Sequence, residues 1–252
     1  MPRSTRPPAK GTLFEPLVPQ PAYGRVASAI EQKILKRTLK PGDLLPTETE
    51  LARQFDVNRS TVREAVRRLE SAGLVGRSSG NKRLRVTRPG HAETASRVSR
   101  ALALDDVTFI ELWEGMLAVA PRTAALAAAR ASAQDRERLE QCIATIELAR
   151  GSEAAVAGVV EFFGILAAAS GNRVLMLAMQ PITRLLAPSL RRMIDRVPQG
   201  RSRILVAQRC IVEALRKQDA GEAESWMTRH VQDFRRGYEI AGIALDTRAA
   251  EA

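Results

Sequence analysis

The chain has 252 residues, 45% of them hydrophobic, and a formal net charge of +11. That length suits one large or two ordinary domains, and the apolar share argues against disorder. Residues 1–90 hold 18 Lys and Arg against 8 Asp and Glu, a balance of +10, whereas residues 91–252 hold 21 against 20, a balance of +1. Like-sign charge concentrated in one third of a chain points to a polyanionic partner. A membrane surface would call for a basic amphipathic helix with aromatic anchors, which that third lacks. Cys142 and Cys210, at no metal-type spacing, fit reduced, buried thiols. With no signal peptide and no apolar run of spanning length in this reading, the expected location is the cytoplasm.

Residues 1–20 carry prolines at 2, 7, 8, 16 and 19 together with Arg3, Arg6 and Lys10, which predicts an extended, disordered basic arm. A domain is expected over 21–89. Val26, Ile30 and Ile34 recur at helical spacing and predict its first helix. Pro41-Gly42-Asp43 reads as a turn. Thr47 and Glu50 have the spacing of a capping box, opening a short helix with Leu51 and Phe55 on one face. Asp56-Val57 ends that helix, and Asn58 is placed to cap the next. There Val62, Ala65, Val66 and Leu69 face inward, which leaves Arg59, Ser60, Thr61, Arg63, Arg67 and Arg68 outside. Gly73 is placed to close the helix in the left-handed region. Residues 74–77 and 83–87 read as two short strands joined by the polar tip Ser78-Ser79-Gly80-Asn81-Lys82.

Residues 90–106 read as a linker with moderate helical periodicity. From Val107 alanine and leucine dominate, and helices are predicted at about 107–130, 133–150, 153–170, 172–190, 201–218 and 220–243, followed by a tail over 244–252. Pro121 predicts a kink or division in the first of these, and Pro181 and Pro188 predict a bent or broken fourth. The expected fold is mainly α: an N-terminal winged helix-turn-helix of three helices and a β-hairpin wing, then an antiparallel all-α bundle of six or seven helices.

The first third resembles the winged helix-turn-helix of the GntR family of bacterial transcription factors. The resemblance rests on Pro41-Gly42-Asp43, Leu45-Pro46, Glu48, Leu51-Ala52, Val57, Arg59, Thr61 through Ala65, Leu69 and Gly73-Leu74. It implies that Arg59, Thr61 and Arg63 touch operator DNA. A recognition helix presents its first turn to base edges, where arginine pairs bidentately with guanine and Ser or Thr bonds a base or phosphate. The candidate DNA contacts are Thr49, Asn58, Arg59, Ser60, Thr61, Arg63, Arg67, Gly80, Lys82 and Arg83. Two departures stand out: Thr49 where many relatives carry arginine, and Lys82-Arg83 where a second wing glycine is usual.

The remainder is similar to the bundle of the FadR subfamily. The matching stretches are Glu111-Leu112-Trp113-Glu114, Phe162 with Ser170-Gly171-Asn172, Ile211 through Leu215, then Asp219, Ala223 and Met227 to His230. Many members hold a divalent metal there with one Asp and three His. Those positions fall at Val159, Phe163, Gln208 and His230, so no metal and no other cofactor is expected. An arginine that often binds carboxylate effectors falls at Met116. The implied effector pocket comprises Trp113, Met116, Val159, Phe162, Phe163, Gln208, Trp226 and His230, and its lining suits an acyl-CoA, a fatty acid or another apolar metabolite. The alternative is that these residues simply fill the bundle.

Together these features predict a homodimeric regulator, most often a repressor in this family, on a short pseudo-palindromic duplex operator. Its affinity would be set by a small-molecule effector, and no membrane is involved. The rival reading is a ligand-independent, architectural DNA-binding protein. No nucleophile motif, phosphate loop or HExxH-type site is present, and Glu222 and Glu224 read as a solvated face, so an enzyme is not expected.

Overall fold

The computed structural model describes residues 21–77 and 83–249. The arm over 1–20 and the wing tip, with Gly80 and Lys82, lie outside the described residues. The chain divides into two compact units, Met1–Gly90 and His91–Ala252.

In the first unit, α1 (Ala22–Leu35), α2 (Glu48–Phe55) and α3 (Arg59–Ser71) precede the hairpin β1 (Val75–Arg77) and β2 (Leu84–Val86). The predicted capping box is formed at α2: the Thr47 hydroxyl accepts from the Glu50 amide, and the Glu50 carboxylate accepts from the Thr47 amide at 2.7 Å. That amide bond, and the Thr47 hydroxyl donating to the same carboxylate at 2.8 Å, hold the Glu50 carboxyl below its usual range. The core joins Val26 and Ile30 of α1, Leu51 of α2 and Val62, Ala65, Val66 and Leu69 of α3 with Val75, Leu84 and Val86 of the hairpin. The strands pair antiparallel, Val75 opposite Val86 and Arg77 opposite Leu84. The turn after α1 joins them: Leu44 bridges Arg85, and the Gly42 and Leu45 amides donate to the Val86 and Leu84 carbonyls. Gly73 has φ +72°, and a Cβ there would sit 3.3 Å from the Pro89 backbone, so its left-handed turn and close approach both favour glycine.

The second unit is a bundle of α4 (His91–Leu104), α5 (Phe109–Arg130), α6 (Ala133–Leu148), α7 (Ser152–Ala169), α8 (Arg173–Arg196), α9 (Gly200–Arg216) and α10 (Ala220–Ile240). α5 packs most extensively on α10, α7 lies between α6 and α8, and α9 contacts α6 and α10. Capping boxes Thr108/Glu111 and Ser132/Asp135 open α5 and α6, and the Asn172 and Asp219 side chains cap α8 and α10. Close packing reaches the glycines: a Cβ at Gly158 would lie 2.6 Å from Cγ1 of Ile146.

Four readings are refined by the tertiary structure. Neither Pro121 nor Pro181 and Pro188 divides its helix. A proline inside a helix removes one backbone bond, and here helix burial on several neighbours offsets the loss, with Pro121 and Pro181 themselves buried. Residues 91–104, read as a linker or helix, form a helix that packs on α8. Residues 244–249, read as tail, return to the start of α5. There the Phe109 amide donates to the Thr247 carbonyl at 3.0 Å, the Ala249 amide donates to the Val107 carbonyl at 2.8 Å, and Ala249 is buried. Finally, α7 is long and apolar enough by composition alone to cross a membrane, contrary to the sequence reading, yet its buried residues pack on α5, α6 and α8.

Candidate DNA interface and bundle interior

Helix α3 buries Val62, Ala65, Val66 and Leu69 at 2% exposure or less, and this fixes which face it presents. Arg59, Ser60 and Arg63 are exposed on the first turn and a half, and Thr61 is half-buried beside them. Asn58 stands at the N-cap position, but its side chain makes no capping bond. Arg67 is exposed and pairs with Glu64 at 3.2 Å, so its guanidinium is partly engaged within the helix. Thr49 and Arg83 are exposed on α2 and at the foot of the wing. Arg59, Ser60, Thr61 and Arg63 thus share one solvent-facing end of a helix whose opposite face is locked in the core. That arrangement suits insertion into a major groove.

One residue of this unit was missed by sequence reasoning. Arg77, on β1, bonds Glu48 of α2 at 3.1 Å and Glu70 of α3 at 3.3 Å, fastening the wing to both helices. Glu70 pushes its pKa up first, then Glu48. Nothing in the local pattern signals a contact across 29 positions.

In the bundle, six of the eight expected effector residues lie in the interior: Met116, Val159, Phe162, Phe163, Gln208 and His230 are at most 2% exposed. The Phe163 ring lies edge-on to Phe162 at 6.2 Å and nearly parallel to His230 at 5.8 Å, and His230 in turn meets Phe234 at 4.6 Å. Trp113 and Trp226 are half-buried at the margin. Trp113 donates its indole N–H to the Val231 carbonyl at 2.8 Å under the Arg235 guanidinium. Trp226 lies under Arg229 and borders two outer clefts, one of about 700 Å³ among α6, α9 and α10 and one of about 230 Å³ between α9 and α10. The space beside His230 on the Met193 side is about 20 Å³, so the interior walls pack on one another there.

Among the described residues four buried polar side-chain atoms have no protein partner: Oε1 and Nε2 of Gln208, Nε2 of His230, and Oε1 of Gln180 on α8. Burial depresses the His230 pKa to about 4, against a smaller raising effect of Asp233. These positions do not fit a first-row metal. Valine and phenylalanine donate no lone pair, and one imidazole with one amide is too small a donor set. Among the described residues no group of three or more His, Cys, Asp and Glu converges. Cys142, whose pKa burial raises to about 11, is a packed thiol.

His230 has a consequence for stability. The unfolded chain takes up its proton near pH 6.5, the folded chain only near pH 4. Between those values the unfolded state binds more protons, so stability falls as pH drops, at up to about 1.4 kcal/mol per unit. The melting temperature of the wild type should therefore decline more steeply from pH 7 to 5 than that of His230→Gln. Parallel slopes would mean that the imidazole is not buried neutral.

Comparison with known proteins agrees with this geometry. Residues 22–82 match the model for bacterial regulatory proteins of the gntR family, and residues 111–233 match the FCD domain. An uncharacterized HTH-type transcriptional regulator of Mycobacterium tuberculosis is 31% identical over 67% of this chain and 70% of its own length. The HTH-type transcriptional repressor NanR of Cronobacter sakazakii is 30% identical over 86% of this chain and 85% of its own. The solved structure of Streptococcus agalactiae GntR, 27% identical, covers 85% of this chain and 99% of its own, with a TM-score of 0.60. The chain belongs to the gntR family of bacterial regulatory proteins, and is a DNA-binding transcriptional regulator, not an enzyme, with a winged helix-turn-helix head and an FCD domain.

Proposed function

We propose that this regulator is a cytoplasmic homodimer of the FadR subfamily that represses by binding a short pseudo-palindromic operator. The observation that carries this reading is the exposed trio Arg59, Ser60 and Arg63, with the half-buried Thr61 beside them, on a helix whose other face is core. The repressor sign takes support from the relative named as a repressor. Two-fold symmetry of helix-turn-helix dimers requires two matched half-sites. Thr49, Asn58, Arg67 and Arg83 would flank the base-reading residues, with Gly80 and Lys82 of the wing tip on the phosphates.

The effector proposed for the FCD domain is mainly apolar, such as an acyl-CoA or fatty acid. Support comes from Met116, Val159, Phe162 and Phe163, which make the interior hydrocarbon-like, and from the unpartnered Gln208 and His230 atoms as its few polar anchors. Because the interior is packed, such a ligand must select a more open arrangement, and that preference is what would change operator affinity.

Competition separates sequence-specific control from architectural binding. At fixed salt, the cognate operator should displace labelled operator about a thousandfold or more better than random duplex of equal length. Equal competition would leave the architectural reading standing.

A further inference from the structure

Within the second unit, several cations outside α8 are paired with neighbouring carboxylates. Arg203 pairs with Asp233, Arg209 with Glu147 at 2.7 Å, Arg216 with Glu140 at 2.8 Å and Lys217 with Glu222 at 3.6 Å. Helix α8 concentrates positive charge. It carries Arg173, Arg184, Arg191, Arg192 and Arg196 against Asp195 alone, a surplus of +4, while the rest of residues 91–252 balances at −3.

Three of those arginines converge. Arg184, Arg191 and Arg192 border a cleft of about 450 Å³ between α8 and the first turns of α7, floored by Val156, Ala187 and Pro188. The volume lies within the range of small-molecule sites, roughly 300–1,000 Å³. Two carboxylates, Glu153 and Asp195, also reach the cleft. Glu153 stands 3.9 Å from Arg191, at the outer limit of an ion pair. Arg184 donates to the Ala92 backbone carbonyl at 3.2 Å, a neutral acceptor that holds the guanidinium without cancelling its charge.

We propose that this cleft is a binding site for a small multivalent oxyanion, a phosphate ester or a polycarboxylate, separate from the interior around His230. Guanidinium groups two turns apart on one helix face suit such a ligand, because each offers paired N–H donors to two oxygens of a phosphoryl or carboxylate group. The apolar floor accommodates a short carbon skeleton between the charged ends. A monovalent acid would gain little, since two carboxylates already oppose the three cations. The cleft gives the regulator a second input, one that reads a charged metabolite. It stands whether or not an apolar effector enters the bundle.

Calorimetric titration of the full-length protein at low ionic strength tests this, with pyrophosphate in one arm, citrate in a second and acetate as the monovalent control. One equivalent of pyrophosphate or citrate per chain should bind, acetate should not, and the better of the two identifies the chemistry. Arg184→Gln/Arg191→Gln should weaken that binding about tenfold or more. The head is basic too, so Arg59→Ala/Arg63→Ala serves as the control that removes its anion contacts, and there the affinity should hold. Should the glutamine variant melt early, Arg184→Lys/Arg191→Lys keeps the charge but loses the forked donors, and weaker binding is again expected. The proposal is overturned by binding of neither multivalent anion, by binding that survives both α8 variants, or by loss of binding in the head variant.

Discussion

Replacing Arg59 or Arg63 with Ala is expected to weaken cognate-operator binding by about 1–3 kcal/mol each, without lowering the melting temperature. Both side chains are exposed and make no contact that supports the core, so stability has little to lose. Affinity has more to lose, because a guanidinium facing guanine forms two bonds at once and its removal leaves the base edge unmatched. The loss should concentrate on particular operator positions, which gel-shift titration of base-substituted operators would reveal. A phosphate contact behaves differently: its loss weakens all sequences alike and reduces the salt slope. Arg67→Ala should resemble that second class more closely, since its guanidinium is already shared with Glu64. If Arg59→Ala and Arg63→Ala leave every operator variant unaffected, α3 is not the recognition helix.

Phe163→Ala carries the largest expected effect on stability. Phe163 is 2% exposed and its ring meets Phe162, His230 and Phe234, so truncation removes buried area and leaves a void among rings that cannot all relax inward. Such changes cost about 3–5 kcal/mol. For a unit of this size that lowers the melting temperature by roughly 10 °C, at about 2–4 °C per kcal/mol. The same void tests the apolar effector. A long-chain acyl-CoA should recover more of the lost stability than lactate does, because only the former brings hydrocarbon to the space. Equal recovery by the two ligands would sink the apolar reading, and a melting temperature unchanged by the truncation would show that Phe163 is not a core ring.

The head was legible because its signals are local. A capping pair three positions apart, an inward stripe at 62, 65, 66 and 69, and a glycine at 73 each act through neighbours in sequence, and the structure places all of them as expected. Asn58 is the partial exception: its position follows from the pattern, but its side chain does not take the capping bond. The bundle was legible as helices from periodicity and caps. Its prolines did not divide their helices, because a rule about isolated helices does not weigh the burial that holds α5 and α8 whole.

The residues by themselves determined the order of elements, the uneven charge and the face of α3 left exposed, since backbone preference and hydrophobic period act over a few positions. Only the tertiary structure decided that Arg77 clamps the wing to Glu48 and Glu70, and that the chain end returns to Val107. It also decided that the aromatic and methionine positions pack on one another, and that Arg184, Arg191 and Arg192 meet around one cleft. Those outcomes depend on which helices lie side by side, and that is settled by the mutual packing of whole faces, which no single stretch of sequence contains.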